Sequence, residues 1–340
     1  MGWESVMVKP ILMGLLGAAM AVSGAMAQDF KPAVVFDLGG KFDKSFNEGV
    51  WNGVKRFMDE TGIEVMEFEV TNEAQREQAL ARMAQRGATI VLGVGFAQAD
   101  PIAKVAKEHP EKQFAIIDVS WLDEPNLRQY AFKEHEGSYL VGMAAAEASK
   151  TGTVGFVGGM DVPLIRKFAC GYVQGVKAAN PDATVLQNMT GTTPAAWSDP
   201  SKGAELARSQ IDRGADVVYH AAGGTGIGVI RATADQGKLA IGVDSDQHDV
   251  APGSVLTSML KRVDNAAYDS FMDAMNGEFT PGVKILGLPE EGVDFVANQE
   301  NADLLTDEIR ASLDDAKQKI IAGEITVHDY ESDMSCPVEG

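Results

Sequence analysis

The sequence predicts an α/β protein made of two lobes, each a doubly wound, open parallel β-sheet with helices on both faces. The first reason is that apolar, β-branched runs alternate with amphipathic helical stretches almost without interruption, as in repeated βα units. The second is that most of these runs are apolar on both faces, as strands between two helix layers must be. The third is length, because 340 residues are too many for one ordinary hydrophobic core.

The first 27 residues have the features of a cleavable signal peptide. Lys9 precedes an apolar stretch at 11–22, and the segment ends on the small-x-small tripeptide AMA at 25–27. We expect cleavage before Gln28 and, in a Gram-negative cell, a periplasmic protein. A transmembrane anchor is the alternative, but the apolar run is short and contains glycines. No cysteine follows the run, which disfavours a lipid anchor.

The first block of the alternating pattern runs from about residue 30 to about residue 134. The run AVVFD at 33–37 is short and apolar, which favours a buried strand. The stretch 45–60 follows it with helical spacing and starts on a residue that suits a helix cap. By the same criteria the block contains strands at 33–37, 63–70, 89–95 and 114–120 and helices at 45–60 and 73–86.

The second block repeats this alternation from about residue 150 to about residue 258. Its predicted strands are 153–159, 184–189, 216–223, 239–246 and 254–260, and its helices are 163–179, 201–213 and 225–236. A further helix is predicted at 135–149, between the two blocks. After residue 260 the sequence predicts a helix at 262–276, short strands at 283–288 and 292–296, and a last helix at 302–322 that ends at Gly323.

No Pro- or Ser-rich linker separates the blocks, so we expect short crossing segments that form a hinge. The material after residue 260 is too little for a third domain and is expected to complete the two lobes. The predicted N-terminal lobe is 28–134 plus about 260–282, and the C-terminal lobe is 135–259 plus about 283–298. Residues 299–340, a helix and a tail, are not assigned to either lobe.

The composition excludes several classes of partner. The net charge is −20, with 49 acidic and 29 basic residues, and such a surface repels nucleic acid and anionic lipid. No apolar segment after Ala27 is long enough to span a bilayer. The five histidines form no HxxxH or HExxH pair, so neither a metal site nor a cofactor is expected. We expect the mature chain to act as a monomer.

The two cysteines, Cys170 and Cys336, are far apart in sequence. Their spacing does not show whether they pair, although an exported chain would meet an oxidising compartment. Cys170 lies in an apolar helical pattern that is typical of packed core.

A ligand of two such lobes is expected in the cleft between them. Open parallel sheets bind ligands beyond the carboxyl ends of their strands. Polar and glycine residues collect after the predicted strands, at 37–47, 93–98, 158–161, 223–228 and 244–247.

Three carboxylates end or follow predicted strands, namely Asp37, Asp244 and Asp246. Carboxylates accept paired hydroxyl or amide donors, such as those of a sugar diol or a purine edge. Lys261 directly follows the strand 254–260 and could bind ligand hydroxyls or pair with one of these acids. For Asp246 and Lys261 a turn cap or a hinge ion pair remains an equally good interpretation.

The glycine-rich tract AAGGTGIG at 221–228 follows a strand and opens a helix. Such a turn can hold phosphate on free N–H groups. No Lys-Ser/Thr follows, so it is not a Walker loop, although Asp244 lies near the distance of a dinucleotide fingerprint's acidic partner. Close backbone approach to a neutral ligand explains the glycines equally well.

Aromatic residues stand at both sides of the predicted cleft. Phe46 begins the first helix of one lobe, and Tyr219 and His220 end a strand of the other. Two facing rings would sandwich a planar group, with about 0.5 to 1.5 kcal/mol beyond area burial. Each of these aromatics alone is more often part of a core.

No catalytic arrangement is recognisable. GxSxG, SxxK and framed Cys-His patterns are absent from the sequence. A glycosidase-like carboxylate pair needs only proximity in the fold and stays open. We therefore predict a binding protein and no enzyme.

Six blocks of the sequence resemble, in the same order, motifs of the basic membrane protein family, the purine-nucleoside-receptor-like substrate-binding components of ABC importers. The joint match spans nearly all of the mature chain, whereas each glycine-rich piece alone would be unspecific. The blocks are DLGGKFDKSFNEG (37–49), FKEHEGSYLVG (132–142), VGFVGGMDVPLIRKF (154–168), HAAGGTGIGV (220–229), IGVDSDQ (241–247) and LTSMLKRVD (256–264).

The resemblance implies a type I periplasmic-binding-protein fold, with three crossovers between the lobes and a nucleoside, preferably a purine nucleoside, in the cleft. It implies that Asp37 and Asn47 hydrogen-bond the ligand and that Phe46 stacks on one face of the base. Tyr219 matches a position where family members often carry Phe for the other face.

The resemblance also assigns residues to the base edge and the ribose. Glu134 looks like the acidic residue that reads the base edge, although Glu136 could serve instead. Asp244 and Lys261 would hold the ribose. Close approach of the backbone is implied at two glycines, Gly223 and Gly224.

The function that the sequence predicts is a freely diffusing periplasmic receptor that delivers its ligand to an inner-membrane ABC permease. Members of the family that are lipoproteins carry a cysteine at the cleavage site, which this chain lacks. A ligand sensor that presents its closed form to a membrane receptor is the alternative, and an enzyme acting on nucleosides is the third possibility.

Overall fold

The computed structural model of the protein describes residues 1–3 and 30–338. The predicted signal peptide, 1–27, lies almost wholly outside the described residues, so its cleavage stays a prediction. The described strands are β1 (Pro32–Phe36), β2 (Met66–Glu69), β3 (Ile90–Gly93), β4 (Gln113–Ile117), β5 (Leu127–Phe132), β6 (Thr153–Met160), β7 (Thr184–Gly191), β8 (Val217–Ala221), β9 (Leu239–Asp244), β10 (Val255–Lys261), β11 (Gly282–Leu286) and β12 (Val293–Phe295).

The helices follow the predicted alternation with the strands. They are α1 (Phe46–Thr61), α2 (Gln75–Gln85), α3 (Ala99–Glu108), α4 (Glu134–Ala148), α5 (Pro163–Ala179), α6 (Pro200–Asp212), α7 (Gly226–Asp235), α8 (Val263–Asn276) and α9 (Asp307–Ile321).

Two six-stranded sheets organise the described chain, one in each lobe. The first has the order β11-β5-β4-β3-β1-β2 and the second the order β12-β10-β9-β8-β6-β7. All pairs are parallel except β10 with β12. Every residue of β1, β3 and β8 is buried, as expected for strands covered on both faces. The predicted class of two parallel-sheet α/β lobes is confirmed.

Two elements were missed by the sequence prediction. The helix α3 was not among the predicted helices, and the strand β5 was not among the predicted strands. β5, with the sequence LRQYAF, has two adjacent polar residues, Arg128 and Gln129, and both are buried. Arg128 donates to the Thr280 carbonyl, far away in sequence, and Gln129 accepts from the Leu122 N–H in the preceding loop. A pattern that depends on apolar runs does not detect such a strand.

The lobe boundaries need one correction. The segment 283–298 was expected to join the C-terminal lobe as a whole, but β11 pairs with β5 in the first sheet. Only β12 joins the second sheet, where it pairs with β10. The last helix, α9, packs against α4 of the second lobe. The chain therefore crosses between the lobes once more between β11 and β12.

Three crossing segments lie side by side at the hinge. They connect β5 to α4, β10 to α8, and β11 to β12. Lys133 N–H donates to the Leu286 carbonyl (3.0 Å), and Arg262 N–H donates to the Gly292 carbonyl (2.8 Å). Each of the first two crossings is thus hydrogen-bonded to the third, so the hinge behaves as one unit.

Helices α4 and α5 approach each other closely at glycines. A Cβ atom at Gly142 would lie 2.3 Å from the Tyr172 carbonyl oxygen, and one at Gly175 would lie 1.9 Å from the Tyr139 carbonyl oxygen. Only glycine allows this crossing. It fixes α5, whose N-terminal end faces the other lobe, against α4, which begins at the hinge.

Cys170 and Cys336 form a disulfide bond, which the sequence left open. Cys170 is buried in α5, as its apolar pattern predicted. It is more than a packed core residue, however, because it bonds the helix to the C-terminal end of the described chain.

No helix in residues 1–3 and 30–338 combines the length and the apolar character that a membrane crossing requires.

Candidate functional site

A cavity of about 230 Å³ lies between the two lobes, beyond the carboxyl ends of their strands. The first lobe contributes a mostly polar wall and the second a mostly apolar one. The first-lobe lining is Asp37, Leu38, Asp43, Phe46, Asn47, Glu73, Arg76, Gly95, Phe96, Ala97 and Asp118. The second-lobe lining is Met160, Leu164, Ile165, Phe168, Pro194, Trp197, Ala221, Ala222, Gly223, Val243, Asp244 and Lys261.

Asp37 follows β1 and is held by an arginine from α2. Arg76 Nε donates to Asp37 Oδ1 (2.8 Å), and a second guanidinium nitrogen donates to Oδ2 (3.4 Å). Burial raises the pKa of Asp37, although Arg76 opposes the shift. The arginine thus fixes the carboxylate in the wall and neutralises part of its charge.

The start of α1 is capped by Asp43 and not by Ser45. The Asp43 carboxylate accepts hydrogen bonds from the backbone N–H groups of Ser45 (2.9 Å), Asn47 (3.1 Å) and Glu48 (3.1 Å). It also accepts the Asn47 side-chain amide (3.1 Å), which orients that residue. Asn47 Oδ1 is buried without a hydrogen-bond partner. Buried polar atoms are usually paired, so the missing hydrogen-bond donor is one that a ligand in the cavity could supply.

Asp118 and Asp244 occupy equivalent places in the two lobes. Asp118 follows β4 and Asp244 ends β9, and these strands hold the same position in the two sheet orders. Both residues have φ of 67°, a left-handed conformation that is rare for residues other than glycine. Burial raises the pKa of each carboxyl to about 6, although the Lys261 ammonium opposes the shift.

Lys261 connects the first lobe to the hinge. Its ammonium lies 2.7 Å from Asp118 Oδ1 and 2.9 Å from Glu134 Oε1. It also lies 5.2 Å from the Phe46 ring centroid and 5.5 Å from that of Phe168. Burial would lower the pKa of Lys261, but the surrounding carboxylates outweigh it and hold the pKa above its ordinary value. Lys261 is therefore a charged part of the wall.

Glu134 does not line the cavity but lies behind Lys261, fully buried. Its second oxygen is 2.8 Å from the ammonium of Lys167. Burial would raise the pKa of Glu134, but the two lysines outweigh it and lower the pKa to about 2. Glu136 pairs instead with Lys133 and with the Leu288 N–H of the hinge. Neither glutamate lies where it could read a base edge directly.

The aromatic pair expected from the sequence is only half present. Phe46 lines the cavity, but Tyr219 is fully buried in the second lobe. Its ring packs against Phe156 (centroids 5.4 Å apart) and Tyr172 (5.2 Å). The expected stacking on Tyr219 is therefore corrected. The second-lobe rings that reach the cavity are Phe168 and Trp197.

The glycine-rich tract serves packing more than contact with a ligand. Gly223 lines the cavity with a positive φ of 54°, whereas Gly224 is not part of the lining. A Cβ atom at Gly224 would lie 3.3 Å from the Trp197 carbonyl oxygen. A Cβ at Gly226 would meet the His220 ring at 2.0 Å, and one at Gly228 would meet the Pro200 carbonyl at 1.8 Å. The tract thus lets α7 pack closely, which explains it without a phosphate.

Asp246 lies outside the cavity and caps a turn. Its carboxylate accepts the His248 N–H (3.1 Å) and the Asn298 side-chain amide (2.8 Å). This matches the turn-cap interpretation that the sequence left open, and the assignment of Asp246 to the ligand site is corrected.

The two lobes touch across the cleft at the loop before α1. The Ser45 hydroxyl donates to Asp244 Oδ2, and the Gln247 amide donates to the Lys44 carbonyl (2.7 Å). Ser245 makes a longer hydrogen bond to the same carbonyl (3.4 Å). The structure therefore has a closed cleft.

Six of the ten predicted site residues come together on the cavity wall, and the other four lie behind or beside it. The six are Asp37, Phe46, Asn47, Gly223, Asp244 and Lys261, and the four are Glu134, Tyr219, Gly224 and Asp246.

Several wall residues were missed, each for an identifiable reason. Asp118 was included in a strand predicted to run to residue 120, whereas β4 ends at Ile117. A strand ending at the first carboxylate would have revealed it. Trp197 lies in a short 3₁₀ turn between β7 and α6, which the sequence left without an element. Arg76 meets Asp37 across 39 positions, and no local signal predicts that contact.

Among the described residues, no cluster of three or more His, Cys, Asp or Glu side chains has the geometry of a metal site.

The fold and the cavity define a class, the two-lobed proteins that bind a solute between their lobes. A solved structure described as an ABC transporter system solute-binding protein from Aeropyrum pernix K1 superimposes with a TM-score of 0.81. It is 28% identical to this chain, covering 87% of it and 92% of that protein.

Residues 30–331 match the family of PnrA-like ABC transporter substrate-binding proteins, Bmp, and the chain belongs to that family. The resemblance found in the sequence is thus confirmed. The "CD4+ T-cell-stimulating antigen" of Listeria monocytogenes is 35% identical over 323 residues, which is 88% of each chain. The "ABC transporter nucleoside-binding protein BmpA" of Lactococcus lactis is 32% identical over 332 residues, 91% of this chain and 92% of that protein. The chain is a substrate-binding protein and not an enzyme.

Proposed function

We propose that this substrate-binding protein holds a nucleoside, preferably a purine nucleoside, in the interlobe cavity and delivers it to an ABC permease. The observation that carries the proposal is a closed cavity with aromatic side chains on both lobes and buried carboxylates around them. The nucleoside-binding name of the Lactococcus lactis relative supports the same ligand class.

The charges of the wall favour a ligand without phosphate. Five lining side chains are acidic, namely Asp37, Asp43, Glu73, Asp118 and Asp244, and two are basic, Arg76 and Lys261. The acids are in excess, and both basic groups already contact acids. A phosphate would meet this excess of like charge at close range, whereas ligand hydroxyls can donate to the carboxylates. A nucleoside therefore fits better than a nucleotide.

The flat base is proposed to lie between Phe46 of the first lobe and the aromatic side chains of the second. Trp197 and Phe168 line the opposite wall, which is otherwise aliphatic. Asn47 Oδ1, which is buried and unpaired, would accept an N–H of the base or a hydroxyl. The ribose hydroxyls would donate to Asp37, Asp118 or Asp244, and Lys261 would donate to a ligand oxygen.

Binding is proposed to be reversible and non-covalent. The contacts between the Ser45 loop and the second lobe form only when the cleft is closed. A ligand that touches both walls has a higher affinity for the closed state and shifts the population toward it. Release at the permease would require the opposite change.

Native mass spectrometry of the protein, purified without refolding, tests the ligand class. We expect a bound molecule that fragments into a base and a pentose. A retained amino acid, peptide or phosphorylated sugar would contradict the proposal. Protein recovered free of ligand would be titrated with inosine, guanosine, adenosine and uridine, and no binding of any of them would equally contradict it.

The location and the transport role are part of the same proposal. We place the mature chain in the periplasm, freely diffusing, because the leader is predicted to be cleaved and no cysteine follows its apolar run. Uptake of labelled inosine by cells lacking the gene tests delivery. Uptake equal to that of the parent strain, with the purified protein still binding inosine, would favour a sensing role.

A further inference from the structure

One face of α5 carries the last part of the chain. We define the C-terminal segment as residues 324–338. It contacts α5 through Lys167, Cys170 and Gln174, whose spacing of three and four residues places them on one helical face. A different part of the helix, at Leu164, Ile165 and Phe168, lines the interlobe cavity. The same helix therefore serves the C-terminal segment and the cavity.

The contacts between the C-terminal segment and α5 are specific. Gln174 exchanges two hydrogen bonds with the backbone of His328, donating to its carbonyl (3.0 Å) and accepting from its N–H (2.8 Å). Cys336 is bonded to Cys170. Glu331 Oε2 lies 2.7 Å from the ammonium of Lys167.

These contacts continue as a row of alternating charges that starts at the exposed Glu331 and runs through buried side chains to the cavity. From Glu331 the row passes to Lys167, then to Glu134 (2.8 Å), and then to Lys261 (2.9 Å). The side chains of the three inner members are at most 5% exposed. A buried ion keeps its position only while its partners stay in place, because an unpaired charge there is costly. A displacement of Lys167 would therefore remove one partner of Glu134, and Glu134 in turn holds Lys261.

The C-terminal segment has little apolar packing of its own to hold it. Val327 is its one buried residue among those described, Ile325 and Val338 pack against the core only in part, and the other residues are exposed or half-buried. Segments with few buried contacts open locally at low free-energy cost. The disulfide thus adds a covalent anchor to a segment that apolar packing holds only in part.

A second cavity shows what opening of this segment would do. It measures about 590 Å³ and lies at the hinge between the C-terminal segment and the first lobe, where Phe132, Lys167, Asp329 and Glu331 line it. Lys167 is still only 5% exposed at its side chain, because the segment covers it. Detachment of the segment would admit water to Lys167 and weaken its hold on Glu134.

We infer that the Cys170–Cys336 bond and the C-terminal segment are positioning elements of the binding site. They hold α5 and the charge row so that Phe168 and Lys261 keep their places in the wall. The claim about the wall is independent of the ligand, whereas its consequence for affinity rests on the proposed function.

The test compares oxidised, reduced and re-oxidised protein labelled with ¹³C at Ile and Leu methyl groups. We expect reduction to shift the signals of Ile165 and Leu164 in the ligand-free protein, and re-oxidation to restore them. The signal of Ile102, buried in the first lobe, should not move. Affinity for inosine, measured by calorimetry, should fall about fivefold or more on reduction, the lower range of couplings between sites.

Matched variants separate the position effect from unfolding and from the reductant. A double variant Cys170→Ser/Cys336→Ser should reproduce the reduced state and should not respond to reductant. Glu331→Gln keeps the disulfide and should weaken inosine binding to a smaller extent. Glu324→Gln, in the same segment and exposed, should leave it unchanged. Circular dichroism verifies that each variant is folded.

Unmoved signals of Ile165 and Leu164 on reduction, or an inosine affinity that does not change, would overturn the inference. If titration of inosine into the oxidised protein gives no more heat than titration into buffer, the proposed function fails instead. The methyl signals alone then decide the inference.

Discussion

The two lobes have the same strand order but present different chemistry to the cavity. The first lobe offers fixed polar groups, with Asp37 held by Arg76 and Asn47 held by Asp43. The second offers an apolar wall in which Asp244 and Lys261 are the charged members. The repeated fold sets where strands end, as the matching conformations of Asp118 and Asp244 show. The residues that follow each strand then decide what the wall can bind.

The largest expected effect comes from removing the charge that joins the lobes. In Lys261→Met, Asp118 and Glu134 lose a buried partner, and the free energy of unfolding should fall by about 3 to 5 kcal/mol. Inosine binding should be lost. Urea denaturation and calorimetry measure the two effects.

The matched control for that change is Lys55→Met, whose exposed partner is Asp59 on the surface of α1. Its free energy of unfolding should stay within about 0.5 kcal/mol of the parent, since exposed pairs contribute little. Equal losses for the two lysine variants would contradict the role given to Lys261.

Acidification should weaken inosine binding and at the same time protonate the two equivalent carboxylates, Asp118 and Asp244, whose charged forms are destabilised by burial. With pKa values of about 6 in the ligand-free protein, Asp118 and Asp244 take up protons between pH 7 and 5 and can no longer accept two donors each. Affinity for inosine should fall about tenfold per carboxylate over this range, as one pKa unit below the midpoint requires.

The stability change has the opposite sign. A carboxyl whose pKa is raised on folding contributes stability at low pH that is lost as the pH rises through about 6. The free energy of unfolding of the parent, relative to Asp244→Asn, should therefore increase from pH 7 to 5. Calorimetric titrations and urea denaturation at both pH values check this, and a pH-independent difference would contradict the assignment.

Substitutions of the aromatic side chains test the contributions of the two walls directly. Phe46→Ala should weaken inosine binding by about 1 kcal/mol or more, the order of one lost stacking contact. Trp197→Ala should weaken it by a similar amount if the base lies between the lobes. Tyr219→Phe should leave it unchanged, because Tyr219 does not reach the cavity. Calorimetry that finds no change in Phe46→Ala would remove that residue from the site.

The smallest expected effect concerns closure. Ser45→Ala loses the hydrogen bond to Asp244 across the cleft and should weaken inosine binding by about 1 kcal/mol, mainly through faster dissociation. Ser245→Ala, which loses only the 3.4 Å contact to the Lys44 carbonyl, should change it little. Stopped-flow measurement of both dissociation rates gives the comparison, and equal rates would argue against the Ser45 contact.

Most of the fold could be predicted because the central strands of each sheet are buried on both faces and are therefore largely apolar. β1 and β8 illustrate this, since their sequences PAVVF and VVYHA stand out from the amphipathic helices around them. β5 could not be found in the same way, because its Arg128 and Gln129 are buried by contacts with residues far away or outside the strand. The partner of β11 depended on the path of the third crossing, which no local pattern encodes.

The candidate site was predictable where it depends on which residues end the strands. It was not predictable where it depends on how deeply a side chain is buried. Asp37, Asp244 and Lys261 follow or end strands and reach the cavity. Tyr219 was expected at a strand end, but it lies in the middle of β8, and its side chain packs in the second-lobe core. Asp118 was hidden because a residue with positive φ ends its strand earlier than hydrophobicity indicates.

Calorimetric titration of ligand-free protein with inosine, and separately with hypoxanthine and ribose, tests the central proposal most directly. The base is proposed to lie between Phe46 and the second-lobe rings, and the sugar against buried carboxylates. Inosine should therefore bind at least about a hundredfold more tightly than hypoxanthine or ribose alone, a difference of about 2.7 kcal/mol. No binding of inosine or any other nucleoside, or ribose alone binding as tightly as inosine, would contradict it.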